Sequence, residues 1–170
     1  SFNHFLLENA STKEAFGFLE ELMAQSFVFH NFYNNVGMGV SSDGELAILT
    51  GLQPMGDRTL YWDYENIRYD LFSIPEYLKE EGYYLEAIHG DLKTFYNRDR
   101  VYPEMYGFDE FYSLEDFISD GYVVEDGYIY DTEQGLVHHS PWISDYHLAD
   151  HSYRIGNELS QGTDPFMLFS

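Results

Sequence analysis

The chain of 170 residues carries 30 Asp and Glu against 8 Lys and Arg, a formal net charge of -22, with 44% hydrophobic and 19% aromatic residues and no cysteine. That charge argues against nucleic acid or an anionic membrane surface as a direct partner, and the missing cysteine excludes disulfides and thiolate metal sites. The apolar content is ample for one core, no repeat or low-complexity linker interrupts it, and no run approaches the length that spans a bilayer, so one domain over residues 1–170 is expected.

A helix is predicted from Thr12, with Ala15, Phe18, Leu19, Leu22 and Met23 forming an apolar stripe. Phe27-Val28-Phe29-His30-Asn31-Phe32 reads as a strand feeding the glycine loop Gly37-Met38-Gly39-Val40-Ser41-Ser42-Asp43-Gly44-Glu45, and a helix is expected from Ser42 to Leu52, stopping before Pro54. Small residues and two hydroxyls thus stand in front of a helix, where unpaired amide N–H groups and a positive dipole end can meet a phosphate. A serine there can be a nucleophile. It can equally be a cap, with Ser41 or Ser42 closing the helix and Asp43 adding first-turn charge.

Ile74 to Glu81 reads as a helix and Gly82 to Ile88 as a buried strand, which leaves His89-Gly90-Asp91 just past a strand's carboxyl end, where ligand groups gather in open α/β sheets. A short helix is expected over Thr94 to Arg98, an extended stretch over Asp109 to Tyr112, a hairpin between Gly121 and Ile129 about Asp126-Gly127, a helix from Asp145 to Leu159 and a strand from Phe166 to Phe169. The alternation predicts an α/β fold, a mostly parallel sheet flanked by helices. Arg98 supplies a planar fork suited to phosphate, His89 a donor, and Asp91 an acceptor for a hydroxyl. The plainer alternative is a solvated loop with a local Arg–Asp ion pair.

Together the two segments resemble the lipoteichoic acid synthase group of the sulfatase and alkaline-phosphatase-like superfamily. Gly37 to Glu45 is similar to that family's Gly-x-Gly-x-Thr-Ser-Asp-x-Glu nucleophile loop. His89-Gly90-Asp91 followed by Lys93-Thr94-Phe95-Tyr96-Asn97-Arg98-Asp99 is similar to its His-x-Asp-x-Lys-Thr-Phe-Trp-Asn-Arg-Asp loop. Met105 to Tyr112 and Asp164 to Ser170 also resemble family landmarks. Ser41 stands where the family has threonine, and Tyr96 where it has tryptophan.

The resemblance implies an alkaline-phosphatase/sulfatase-like fold and metal-dependent phosphoglycerol transfer. Ser41 would be both nucleophile and metal ligand. His89 and Arg98 would hold phosphate oxygens, Asp91 would orient a glycerol hydroxyl and Tyr96 would wall the groove. It also implies Mn2+ or Mg2+ as cofactor, a phosphatidylglycerol headgroup and a glycerophosphate polymer as partners, and a place on the extracellular face of the bacterial membrane, with any anchor outside this chain. The family's Asp-His metal pair belongs beyond Ser170, so an incomplete catalytic domain is expected. Asp150-His151 reads instead as helix surface, adjacent His138-His139 point to opposite faces, and Glu8 superficially resembles the family's first metal carboxylate. No base accompanies Ser41 locally, and a serine hydroxyl near neutral pH needs a base or a Lewis acid. Two alternatives stay open: a noncatalytic glycerophosphate- or carbohydrate-binding fragment, and a sulfatase- or phosphatase-type hydrolase of the same fold.

Overall fold

Tyr84–Ile88 (β1) is the centre of the larger part of the structure, because every one of its residues but the first is buried. The computed structural model describes residues 16–29, 37–54, 56–66, 71–121, 123–125, 128–130, 137–138 and 142–170. The chain divides into two units, Ser1–Asn34 and Asn35–Ser170. The first holds helix α1 (Phe18–Ala24). Residues 27–29 after it are irregular, and Phe27 and Phe29 are 97% and 80% exposed, so the strand expected from Phe27 does not form there; residues 30–32 lie outside the described residues. Alternating apolar residues alone do not make a strand without a neighbour to take their backbone hydrogen bonds.

The second unit runs through α2 (Ser41–Thr50), a 3-10 segment Leu60–Asn66, α3 (Ile74–Glu80) and β1. Helical turns of changing pitch then run from Phe95 to Met105, followed by β2 (Glu110–Tyr112) and α4 (Leu114–Ser119). Three short strands come next, β3 (Val123–Glu125), β4 (Tyr128–Tyr130) and β5 (Val137–His138), and the chain closes with α5 (Asp145–Leu159) and β6 (Phe166–Phe169). β1 pairs in parallel with β2 on one side, Glu86 opposite Glu110, and with β6 on the other, Tyr84 opposite Phe166. The result is a parallel three-stranded sheet flanked by helices, as the alternation predicts. β3 and β4 pair antiparallel, with Glu125 opposite Tyr128, while the Asp126-Gly127 turn expected between them lies outside the described residues. No helix among the described residues is long and apolar enough to cross a membrane.

Local chemistry explains the elements that carry the site. Ser73 caps α3, its hydroxyl accepting from the Glu76 N–H at 3.2 Å, with Pro75 in the first turn where no donor is lost. α2 ends at Gly51 in the left-handed conformation, φ 71°. On β1, Leu85 and Ala87 face one core with Leu46, Leu49, Tyr61 and Tyr102, while Ile88 faces a second core with Leu114, Phe117 and Ile143. This two-sided burial fits a central parallel strand, whose carboxyl end points into the loop His89–Asp91.

Candidate functional site

The start of α2 differs from the capping that its serines suggest. Val40 is the N-cap, in extended conformation and with no side-chain cap, so Ser41 is the first helical residue and is exposed. Capping passes to Asp43, whose Oδ2 accepts the Gly39 N–H at 3.1 Å, Gly39 being at φ 78°. Asp43 reaches back over the turn as a capping-box acid does. Ser42 is buried and shares a 2.7 Å hydrogen bond with Thr59 Oγ1. The two neighbouring hydroxyls are thereby separated in function, one sealed inside and one presented.

The second segment is clamped by backbone bonds from both flanks. The His89 N–H donates to the Tyr112 carbonyl at 2.8 Å and Leu114 N–H to the Asp91 carbonyl at 3.1 Å, while Ile143 N–H donates to the Gly90 carbonyl at 2.8 Å. A Cβ on Gly90 would lie 2.8 Å from Ile143 Cγ2, so the close approach of residue 143 requires glycine. Between the segments lies a cavity of about 420 Å3. Its polar lining is Ser41, His89, Asp91 and Asp145, and its apolar lining Phe95, Trp142, Ile143 and Leu148. The structure therefore brings three of the residues expected from sequence, Ser41, His89 and Asp91, to one cavity.

It does not bring Arg98 or Tyr96 to the cavity lining. Arg98 is fully buried: its Nε donates to Glu45 Oε2 at 3.1 Å, Nη2 to Glu45 Oε1 at 2.5 Å, and Nη1 to the Phe95 carbonyl at 3.0 Å. Tyr102 adds its hydroxyl to the same carboxylate at 3.0 Å. The reason is backbone geometry. Tyr96 and Asn97 are left-handed at φ 56° and 55°, which turns the chain so that residue 98 points inward, and Asn97 holds the turn through Nδ2 to the Tyr61 carbonyl at 3.0 Å. Tyr96 stacks on Trp62, ring centroids 5.4 Å apart. The local Arg–Asp ion pair of the plainer alternative does not form either, since the partner is Glu45.

Burial and the nearby Arg98 cation push the His89 imidazole down to about 4, so it is neutral near pH 7. Its Nε2 is buried and has no hydrogen-bond partner among the described residues, as has Asp43 Oδ1. His151 also departs from expectation. It is buried rather than on the helix surface, stacked on Tyr112 at 4.1 Å and edge-on to Phe117 at 4.9 Å. Glu8, His139 and the His138 side chain lie outside the described residues. Among the described residues no three His, Asp or Glu side chains form a group able to hold a metal ion. Sequence reading missed Trp142 and Asp145 as cavity residues, using Asp145 only as the start of a helix, and it gave Glu45 no task although it stands in the quoted loop.

The sequence profile of the family described as Sulfatase matches residues 3–169. The lipoteichoic acid synthase of Staphylococcus aureus (strain USA300) is 34% identical over 114 residues, covering 64% of this chain and 17% of that protein. The lipoteichoic acid synthase-like YvgJ of Bacillus subtilis (strain 168) is 30% identical over 104 residues, 61% of this chain and 16% of that protein. The chain thus spans about a sixth of the length of these curated relatives. Among solved structures, the lipoteichoic acid synthase LtaP from Listeria monocytogenes matches with a TM-score of 0.69 at 24% identity, over 89% of this chain and 32% of that one. A protein in the alkaline phosphatase superfamily from Vibrio parahaemolyticus matches with a TM-score of 0.57 at 23% identity, over 78% and 29%. Both structures share the fold.

Proposed function

The chain belongs to the sulfatase family, and on that premise we propose that it is the nucleophile-bearing part of a phosphoglycerol transferase that moves glycerophosphate from phosphatidylglycerol to a glycerophosphate polymer. The observation that supports this most is the convergence of Ser41, His89 and Asp91, from two segments far apart in sequence, on one cavity. The names of the curated relatives point to the same chemistry.

In this reading Ser41 Oγ attacks the phosphorus, the bond to the diacylglycerol oxygen breaks, and diacylglycerol leaves as the alcohol. A terminal polymer hydroxyl then attacks the same phosphorus and returns the seryl hydroxyl. The neutral His89 ring can offer an N–H to a phosphate oxygen without adding charge, and the Asp91 carboxylate can accept from a glycerol hydroxyl. Arg98 and Tyr96 act behind the site, through Glu45 and Trp62, instead of on the substrate. The cofactor of this reading is a divalent cation, Mn2+ or Mg2+, which lowers the pKa of a bound hydroxyl. Ser41 is the ligand assigned to it, and the described residues do not form the rest of its cage. The place of action is the extracellular face of the bacterial membrane. The described lining residues include no Lys or Arg, which also favours a second reading, a noncatalytic module that holds neutral polyol more readily than phosphate.

The test is diacylglycerol release from a fluorescent phosphatidylglycerol with Mn2+, by this chain and by a version extended at both ends to the length of its relatives. Release by the extended version, lost in Ser41→Ala with a glycerophosphoryl group found on Ser41 by mass spectrometry, is the expected result. Equal release by Ser41→Ala overturns the transferase reading.

A further inference from the structure

The segment Trp142–Asp145 belongs to neither of the two loops that carry the chemistry, yet it makes one wall of the cavity. Trp142 is 51% exposed and Asp145, in the first turn of α5, is exposed, so both side chains are accessible to a solute in the cavity. Between them, Ile143 is fixed at the back by its hydrogen bond to Gly90 and by the close contact that only glycine permits. The wall is therefore held on the same loop that presents His89 and Asp91, and its position relative to them is set by backbone rather than by long flexible side chains.

The chemistry of this wall is specific. An indole face offers an apolar, electron-rich surface to C–H groups, and carboxylates are acceptors only, suited to paired hydroxyls and unsuited to phosphate. Among the described residues two carboxylates, Asp91 and Asp145, line the cavity, and no Lys or Arg does. An anionic group is thus better placed toward Ser41 and His89, at the helix start, and a neutral, hydroxyl-rich group toward Trp142 and Asp145.

We propose that Trp142 and Asp145 form a polyol subsite: the indole packs on the carbon backbone of a glycerol unit and the carboxylate accepts from its hydroxyls, which selects a hydroxylated phosphoester over an alkyl one. The subsite rests on the transferase reading only for the orientation of its ligand, since it names a binding preference of the same cavity. A site built to bond a hydroxyl discriminates against the analogue that lacks it, because its polar group is then left without a partner.

The experiment uses this chain and three probes: glycerol 1-phosphate, propyl phosphate and inorganic phosphate. The chain has two tryptophans, Trp62 and Trp142, so in Trp62→Phe the single indole N–H signal in the NMR spectrum reports on the wall. Glycerol 1-phosphate is expected to shift that signal and to bind roughly tenfold more tightly than propyl phosphate, a preference abolished in Asp145→Ala and in Trp142→Ala and kept in Trp142→Phe. Both positions are exposed, so these variants are expected to fold, which the rest of the spectrum checks. Equal binding of the two phosphoesters by the parent chain, a preference that survives Asp145→Ala, or no shift with any probe each overturns the subsite. Turnover does not enter this readout. A chain that shows the preference while its extended version releases diacylglycerol without Ser41 would overturn the transferase reading and leave the subsite standing.

Discussion

The guanidinium of Arg98 meets the carboxylate of Glu45 in the interior through two parallel hydrogen bonds, and so ties helix α2, which starts at Ser41, to the turns that follow the His89–Asp91 loop. Arg98 has no exposed side-chain surface and Glu45 only 14%, so removing one partner strands a charge away from water. Arg98→Ala is expected to lower the unfolding free energy by about 3–5 kcal/mol. Arg98→Lys should recover only part of it, since an ammonium cannot make the planar fork. Urea unfolding followed by tyrosine fluorescence measures both, and wild-type stability in Arg98→Ala would mean that the pair does not organise the core.

Acid should weaken the fold from about pH 6.5 downward through His89 and His151. Burial, then Arg98, holds the His89 pKa at about 4, and burial, then Arg154, lowers that of His151, which Asp120, Asp150 and Glu158 offset in part. Both lie below the 6.5 of the unfolded chain, so the unfolded state binds more protons in this window. The His89 contribution is complete above pH 6.5 and is lost as pH falls toward 4, at up to about 1.4 kcal/mol per pH unit, and His151 adds to the loss in the same direction. Urea midpoints at pH 7.5, 6.0 and 4.5 report the slope. His151→Phe, which keeps a ring against Tyr112 and Phe117, should flatten it, and an unchanged slope would remove His151 from the account.

Which parts were readable in the sequence follows from how local their causes are. α5 and β6 have the boundaries expected, Asp145–Leu159 and Phe166–Phe169, because caps, periodicity and turn residues lie within each segment. His151 was misread as surface although it sits on the face of Leu148 and Ile155 at three- and four-residue steps; the stripe was there, and a polar name hid it. The fate of Arg98 was not readable at all. It depends on left-handed φ at Tyr96 and Asn97 and on a partner in another element, neither of which spacing reveals. The strand expected from Phe27 failed for a related reason, since pattern does not supply a neighbouring strand.

Gly90 should be intolerant of even one methyl group. An alanine Cβ would come within 2.8 Å of Ile143 Cγ2, and Ile143 is itself buried. Gly90→Ala is expected to cost about 1–3 kcal/mol through overpacking. Ile143→Val removes its terminal Cδ1 but keeps Cγ2, so it should relieve little, whereas Ile143→Ala in the same chain should show a favourable coupling of about 1 kcal/mol or more in a double-mutant cycle. Additive losses would show that the two residues do not meet.

Ser41 and Ser42 are adjacent and chemically identical, and the structure gives them opposite fates, which makes them the most direct comparison on α2. Ser42 is buried with its hydroxyl on Thr59 at 2.7 Å. Ser42→Ala leaves the Thr59 hydroxyl without that partner in the interior and is expected to lower stability by about 1–3 kcal/mol. Ser41 is exposed and does not cap the helix, a role that Asp43 fills for the Gly39 N–H. Ser41→Ala should therefore leave the unfolding free energy from urea titration within about 0.5 kcal/mol of the parent, as surface substitutions do. In the extended protein it should nonetheless abolish glycerophosphoryl transfer, while Ser42→Ala retains transfer at temperatures where it stays folded. A destabilised Ser41→Ala would mean that this hydroxyl is a structural cap after all, and the division of labour along the turn would have to be redrawn with Ser42.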